Sequence, residues 1–332
     1  MHDARYWSEA ESGKVRCELC PHHCVLSDGQ AGICMGRVNS QGRLYARNYG
    51  QIVSAAVDPV EKKPLYHFRP GSLILSVGPN GCNFRCPYCQ NWEISQTESS
   101  TSFLSPEELV KTGRRGNSIG ISYTYSEPLI WYEYVLDSSK LAREAGLVNV
   151  LVTNGYVEEA PLRELLRFVD ALNVDVKSID DAFYKRFCKA SLAPVLRTCR
   201  IAKEHCHVEI TNLVIPGEND GEEEIGKLVN WVASELGKET PLHFSRYFPQ
   251  HKMATGSTPE STLQRALEIG KKELYYCYLG NVHSKNGSDT NCPSCGSTLV
   301  ERLGYSVRVR NIKAGKCASC GREADFVLGP TE

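Results

Sequence analysis

Gly81-Cys-Asn-Phe-Arg-Cys-Pro-Tyr-Cys-Gln-Asn91 places Cys82, Cys86 and Cys89 at Cys-x3-Cys-x2-Cys spacing on one short segment. Three thiolates set this way can each bind a different iron of a cubane cluster, leaving the fourth iron open to another ligand. A structural zinc site wants four closed ligands. No fourth is close in the chain: the next His or Cys after Cys89 is Cys188, and the last before Cys82 is His67. The spacing points to a [4Fe–4S] cluster.

The segment follows a strand-like run, Leu73–Val77. Further strand-like runs are Ser118–Tyr123, Val148–Thr153, Ala171–Asp175, Val208–Ile215, Leu242–Tyr247 and Leu274–Leu279. Helical patterns lie between them: one opening at Ser105-Pro-Glu-Glu108, then Pro128–Ala145, Ala160–Phe168, Pro194–Lys203, Glu222–Leu236 and Ser261–Lys272. Ser105, Pro106 and Glu108 carry the marks of an N-cap, a first-turn proline and a capping box. Strands and helices in alternation imply a parallel sheet with right-handed crossovers. The repeat is too short for a closed eight-stranded barrel, so the expected fold is a partial (β/α)6 TIM-like barrel. In that fold the cysteine loop lies at the C-terminal ends of the strands, where α/β barrels build active sites. Ser126-Glu127-Pro128, Thr153-Asn154-Gly155, Asp175 with Lys177, and Arg246-Tyr247 fall at equivalent strand ends.

Of 332 residues, 38 are basic and 39 acidic, so bulk charge points to neither nucleic acid nor an anionic membrane. Met1–Tyr6 is polar, and no apolar run approaches the roughly 20 residues of a membrane span. A cytoplasmic location is expected. Fifteen cysteines are many for a reducing compartment, where short regular spacings mark metal sites. Eleven fall in three clusters. The other four, Cys188, Cys199, Cys206 and Cys277, read as buried packing residues.

Cys292-x2-Cys295 and Cys317-x2-Cys320 are paired knuckles, a zinc-ribbon signature with a rubredoxin-like iron site ranked second. Arg302, Arg308, Arg310, Lys313, Lys316 and Arg322 make this module basic, which reads first as a solvated face and second as an RNA or partner contact. Cys17, Cys20, Cys24 and Cys34 are four ligands in one short stretch; zinc and an auxiliary [4Fe–4S] cluster are both chemically allowed, and zinc is preferred. The three clusters suggest an N-terminal four-cysteine metal-binding segment (1–70), a core (71–285) and a zinc-ribbon-like tail (286–332).

Taken together, Cys17-Glu-Leu-Cys-Pro-His-His-Cys24, Asp58-Pro-Val-Glu-Lys-Lys-Pro-Leu-Tyr-His-Phe68, Gly81–Ser95 and Asp175-Val-Lys-Ser178 resemble the radical SAM superfamily. The resemblance is to the branch of pyruvate formate-lyase activating enzymes, and within it to the AmmeMemoRadiSam system proteins. It implies an oxidoreductase in which S-adenosylmethionine (SAM) binds the open iron. Reductive cleavage then gives methionine and a 5′-deoxyadenosyl radical, which abstracts hydrogen from an unidentified substrate. It also implies a low-potential electron donor, a ferredoxin or flavodoxin, and Memo-like and AMMECR-like protein partners.

By the same resemblance, Ser126 and Glu127 stand in a Gly-Gly-Glu-Pro-like motif, with Glu127 aimed at the SAM ammonium group. Thr153, Asn154, Asp175 and Lys177 match SAM-contacting positions, and Asn212 is a weaker SAM candidate. Two positions depart from the activating enzymes: Val152 replaces an Asp, and Phe248 replaces the His of a Tyr-His pair. These departures count against the alternative of an activase that installs a glycyl radical on a partner enzyme. An alternative of another class is a zinc-stabilised RNA-binding or adaptor protein.

Overall fold

The computed structural model describes residues 1–282 and 287–329. An eight-stranded sheet forms its centre. Its strands are β1 (Ser54–Pro59), β2 (Leu73–Gly78), β3 (Gly120–Tyr123), β4 (Val148–Thr153), β5 (Ala171–Asp175), β6 (His207–Val214), β7 (Leu242–Arg246) and β8 (Cys277–Gly280). Spatial order follows chain order from β1 to β8, and both end strands are edges, so the barrel is open. Strands β2 to β8 run parallel. Only β1 is antiparallel, paired with β2 from Ser54↔Gly78 to Pro59↔Leu73.

Six helices make the crossovers: α1 (Pro106–Arg115), α2 (Tyr132–Glu144), α3 (Glu159–Leu166), α4 (Leu192–Lys203), α5 (Glu222–Glu235) and α6 (Glu260–Glu273). This is the expected (β/α)6 repeat followed by one more strand. The parallel strands are buried almost throughout, because helices cover one face and the barrel interior takes the other. Helix α1 begins as its sequence dictates: the Glu108 amide donates to Ser105 Oγ at 3.2 Å, and Glu108 Oε2 accepts the Ser105 amide at 3.1 Å. The run Pro128–Ala145 splits into a 3₁₀ turn, Pro128–Trp131, and then α2.

The cysteine-rich N-terminal chain forms small antiparallel sheets, including the hairpin Arg37–Ser40/Arg43–Ala46. It docks on α2 through a buried ion pair between Arg37 and Glu133, 1% and 2% exposed. The C-terminal cysteines lie in the turns that follow Thr290–Asn291, in a sheet with Thr298–Leu303 and Ser306–Val309, and at the end of the hairpin Ile312–Lys313/Lys316–Cys317. The expected start of this tail, at about Asn286, lies outside the described residues.

Buried polar contacts fix the tail to the barrel. His67 Nδ1 lies 2.6 Å from the Asp325 carbonyl and Nε2 lies 2.6 Å from Tyr278 Oη, while its ring stacks on Phe326 at 4.1 Å. Arg302 sits over the Tyr66 ring at 4.3 Å and donates to the Tyr66 carbonyl at 2.6 Å. It is 4% exposed, so it does not belong to the solvated basic face that its sequence suggests.

Burial pushes the His67 pKa down to about 3. Below its ordinary value of about 6.5, the unfolded chain takes up a proton that the folded chain refuses. Stability therefore falls as pH drops from about 6.5 towards 3, by up to about 1.4 kcal/mol per unit from this group. Urea midpoints should fall between pH 7 and pH 5.5, and His67→Gln should flatten that slope. An unchanged slope would mean that His67 does not stay neutral.

Candidate active site at the strand ends

The cysteine loop leaves β2 and crosses the C-terminal rim of the barrel. Gly81, at φ +109°, lets it pass against the N-terminal chain: a Cβ there would stand 2.2 Å from the Cys34 carbonyl oxygen. Arg85 stiffens the turn, donating from Nη1 to the Cys82 and Phe84 carbonyls at 2.7 and 2.9 Å and from Nη2 to the Ile33 carbonyl. Asn91 Nδ2 ties the end of the loop to the Tyr125 carbonyl at 2.6 Å.

The three thiols have distinct surroundings. Cys82 Sγ accepts from the Phe84 amide at 3.3 Å and from Asn154 Nδ2 at 3.7 Å. Cys89 Sγ lies 3.2 Å from Ser95 Oγ. Cys86 Sγ lies 3.7 Å from Cys188 Sγ, and Tyr88 Oη lies 3.6 Å from the same Cys188 sulfur. Cys188 is buried, as its sequence context suggests, but it is also a neighbour of the loop. A π-helical turn, Tyr184–Cys188, brings it there, and spacing along the chain carries no sign of that turn.

Among the described residues, one set of three or more His, Cys, Asp or Glu has all its ligand atoms within 4.8 Å of one another: Cys292, Cys295, Cys317 and Cys320. Cys82, Cys86 and Cys89 do not gather that tightly, even with Cys188 beside them. A single tetrahedral zinc with bonds of about 2.3 Å needs sulfurs about 3.8 Å apart. Wider spacing suits a polynuclear cluster, where each thiolate meets its own iron. Cys188 is too close to Cys86 to serve as another corner of such a cluster, so it reads as a hydrogen-bonding neighbour.

The polar strand-end residues converge beside the loop. Glu127, between β3 and α2, is 2% exposed. Its Oε1 accepts from the Leu129 amide at 3.0 Å and Thr153 Oγ1 at 2.6 Å, and its Oε2 accepts from the Asn154 amide at 2.8 Å. Burial nonetheless raises its pKa to about 7. Glu127 thus caps the 3₁₀ turn and also joins β3 to the end of β4. Asn154 Nδ2 reaches Asn83 Oδ1 at 2.8 Å, which links β4 to the cysteine loop. Ser126 Oγ donates to the Pro79 carbonyl at 2.6 Å.

At the end of β5, Lys177 Nζ pairs with Asp175 Oδ2 at 2.9 Å. Burial works against the ammonium, but the Asp175 carboxylate and the nearby Cys86 sulfur raise the Lys177 pKa. Asn212 Nδ2 donates to the Val176 and Lys177 carbonyls at 2.9 and 3.2 Å, while its buried Oδ1 has no hydrogen-bond partner among the described residues. Arg246 turns away from this group and donates to the Thr258 carbonyl at 2.9 Å.

A cavity of about 1310 Å³ opens between the barrel and the C-terminal sheet. Gln90, next to Cys89, Thr211, His243 and Ser245 line its barrel side, and Arg302 and Tyr305 line the opposite wall. Phe248, at the position that departs from the activating enzymes, also faces it. Glu61, Tyr66 and Arg302 were not legible as cavity residues, because the first two and the third reach it from segments far apart in the chain.

In the C-terminal set, Cys292 and Cys320 sulfurs stand 3.6 Å apart, and Cys295 and Cys317 sulfurs stand 3.7 Å apart. Each knuckle closes the same way, the Gly296 amide donating to the Cys292 carbonyl and the Gly321 amide to the Cys317 carbonyl, both at 2.8 Å. These four residues can hold one metal ion.

No helix of the described residues is long and apolar enough to cross a membrane. Residues 77–229 match the model of the radical SAM superfamily. The chain is 45% identical over 336 residues to an uncharacterized protein of Methanocaldococcus jannaschii, covering 99% of this chain and all of that one. It is 29% identical over 166 residues to the pyruvate formate-lyase-activating enzyme of Clostridium pasteurianum, covering 46% of this chain and 66% of that enzyme. A radical SAM methyltransferase from Sphaerobacter thermophilus superposes with a TM-score of 0.51 at 17% identity, covering 64% of this chain and 67% of that one, a likeness of fold. With the cysteine loop on the strand-end rim of an open α/β barrel, these similarities make the chain an enzyme of the radical SAM superfamily.

Proposed function

We propose that Cys82, Cys86 and Cys89 hold a [4Fe–4S] cluster with one open iron, and that the enzyme takes hydrogen from a substrate seated in the cavity beside Gln90. The observation that carries this reading is the gathering of three thiols, spaced too widely for one ion, against Glu127, Thr153, Asn154, Asp175 and Lys177. When bound, the cluster and SAM together supply reductive cleavage to methionine and a 5′-deoxyadenosyl radical.

The protein's part is to bind, orient and shield. Glu127, held by Thr153 and the Asn154 amide, keeps acceptor capacity for the amino end of SAM. Asn154 bridges that carboxylate to the Cys82 loop, so a shift in one moves the other. Lys177 and Asp175 offer one charge of each sign at the rim, and Asn212 Oδ1 an unpaired acceptor. Ser126 is a further SAM candidate, its hydroxyl proton already given to Pro79. An electron donor of the flavodoxin or ferredoxin type serves the cluster. We assign zinc to the C-terminal set, whose spacing supports it. Memo-like and AMMECR-like proteins are candidate partners.

The glycyl-radical activase remains the second reading, supported by the similarity to activating enzymes. The cavity, larger than many small-molecule sites, supports the first. Anaerobically prepared protein, reduced with dithionite and given SAM, should form 5′-deoxyadenosine. None from a protein with full iron would end the proposal. Deuterium carried from a labelled small molecule into 5′-deoxyadenosine favours the cavity reading, and a glycyl radical on a co-incubated partner favours the activase.

A further inference from the structure

Cys17, Cys20, Cys24 and Cys34 converge on one small unit. Val15–Cys17 and Val25–Leu26 are paired strands, and the Cys17 amide donates to the Cys24 carbonyl at 2.9 Å. Cys17, Cys20 and Cys34 are 7 to 8% exposed, and Cys24 is partly buried. Four thiols so gathered, with no disulfide among them, suit metal binding.

The chain contains its own standard for a single-ion site. The C-terminal cysteines stand with all four sulfurs within 4.8 Å, two pairs at 3.6 and 3.7 Å. No three of the N-terminal sulfurs meet that limit. The loop Cys82–Cys89 shares this wider spacing. One tetrahedral ion would draw all four sulfurs to about 3.8 Å, whereas thiolates on separate irons stand farther apart. The surroundings suit a charged cluster: the Arg37 guanidinium lies 3.9 Å from Cys17 Sγ.

The unit also lies against the cysteine loop. The Cys34 carbonyl packs on Gly81, which immediately precedes Cys82, and Arg85 of the loop donates to the Ile33 carbonyl. His22, between Cys20 and Cys24, lies 2.7 Å from the Asn83 carbonyl. The two cysteine sets are thus neighbours, joined by one close backbone approach and two side-chain-to-backbone contacts.

We propose that Cys17, Cys20, Cys24 and Cys34 hold a second iron–sulfur cluster, with every iron bound to a protein thiolate and none open to SAM. This departs from the zinc preferred on sequence alone. It does not depend on the substrate, nor on whether the first cluster cleaves SAM.

The test is metal and sulfide analysis of the Cys82→Ala, Cys86→Ala, Cys89→Ala triple variant after anaerobic reconstitution. The expected result is about four iron per chain with matching sulfide. Dithionite should then give an EPR signal that SAM leaves unchanged. Absence of iron with a second zinc would overturn the proposal, and so would a residual signal that shifts with SAM. If the variant does not fold, the wild-type chain decides: about eight iron and one zinc support the proposal, and about four iron and two zinc refute it.

Discussion

Cys86→Ala is expected to cut 5′-deoxyadenosine formation by more than about 10³-fold, because under the proposed function it removes a ligand of the cluster that makes enzymatic acceleration possible. Cys86 is 8% exposed, so no water or buffer ligand easily replaces its sulfur. Cys82→Ala and Cys89→Ala should behave alike. Cys199→Ala is the control, since Cys199 is fully buried on α4 and belongs to none of the three cysteine clusters. It should cost roughly 1–2 kcal/mol of stability and leave the activity of the folded fraction intact. Glu127→Gln should fall between these cases. It keeps the shape but loses an acceptor oxygen that Thr153 or Asn154 now uses. Equal losses in Cys86→Ala and Cys199→Ala would indicate unfolding rather than lost chemistry.

Glu133→Ala should destabilise the protein by about 3–5 kcal/mol, the cost of stranding a buried charge. Arg37 is left without its carboxylate, and the Arg5 amide loses its acceptor at 2.8 Å. Because the pair joins the N-terminal hairpin to α2, the damage should show first as proteolytic release of the N-terminal chain. The double change Arg37→Met, Glu133→Leu should recover much of the loss, since well-packed apolar side chains often replace a buried ion pair at little cost. Chemical denaturation of the three proteins checks this. A loss below about 1 kcal/mol for Glu133→Ala would place the pair in solvent.

The parallel strands were legible because both faces of each are largely buried, which leaves short runs dominated by apolar residues, such as Val150-Leu151-Val152 in β4 and Ala171-Leu172 with Val174 in β5. Strand β1 was not. Ser54-Ala-Ala-Val57 is mostly exposed, and it enters the sheet by backbone pairing with β2 rather than by an apolar pattern. The run Leu274–Leu279 begins its strand only at Cys277, because the Tyr275 amide donates to the Lys238 carbonyl at 2.9 Å, outside the sheet.

At the site, spacing alone marked the cysteine loop, and the strand-end rule brought Glu127, Thr153, Asn154, Asp175 and Lys177 to the same rim. For Glu127, capping the 3₁₀ turn and a ligand role are compatible: the carboxylate has two oxygens and its capping bond occupies only part of one. Cys188 and Arg302 escaped because their significance lies in contacts across 102 and 236 positions of chain.

The most direct measurement is EPR of the dithionite-reduced whole protein before and after SAM is added. Three thiolates around an open iron predict that one cluster signal shifts on binding SAM, and that Cys86→Ala abolishes the shifting signal. A spectrum unchanged at saturating SAM, from protein with full iron, would contradict an open iron at Cys82, Cys86 and Cys89.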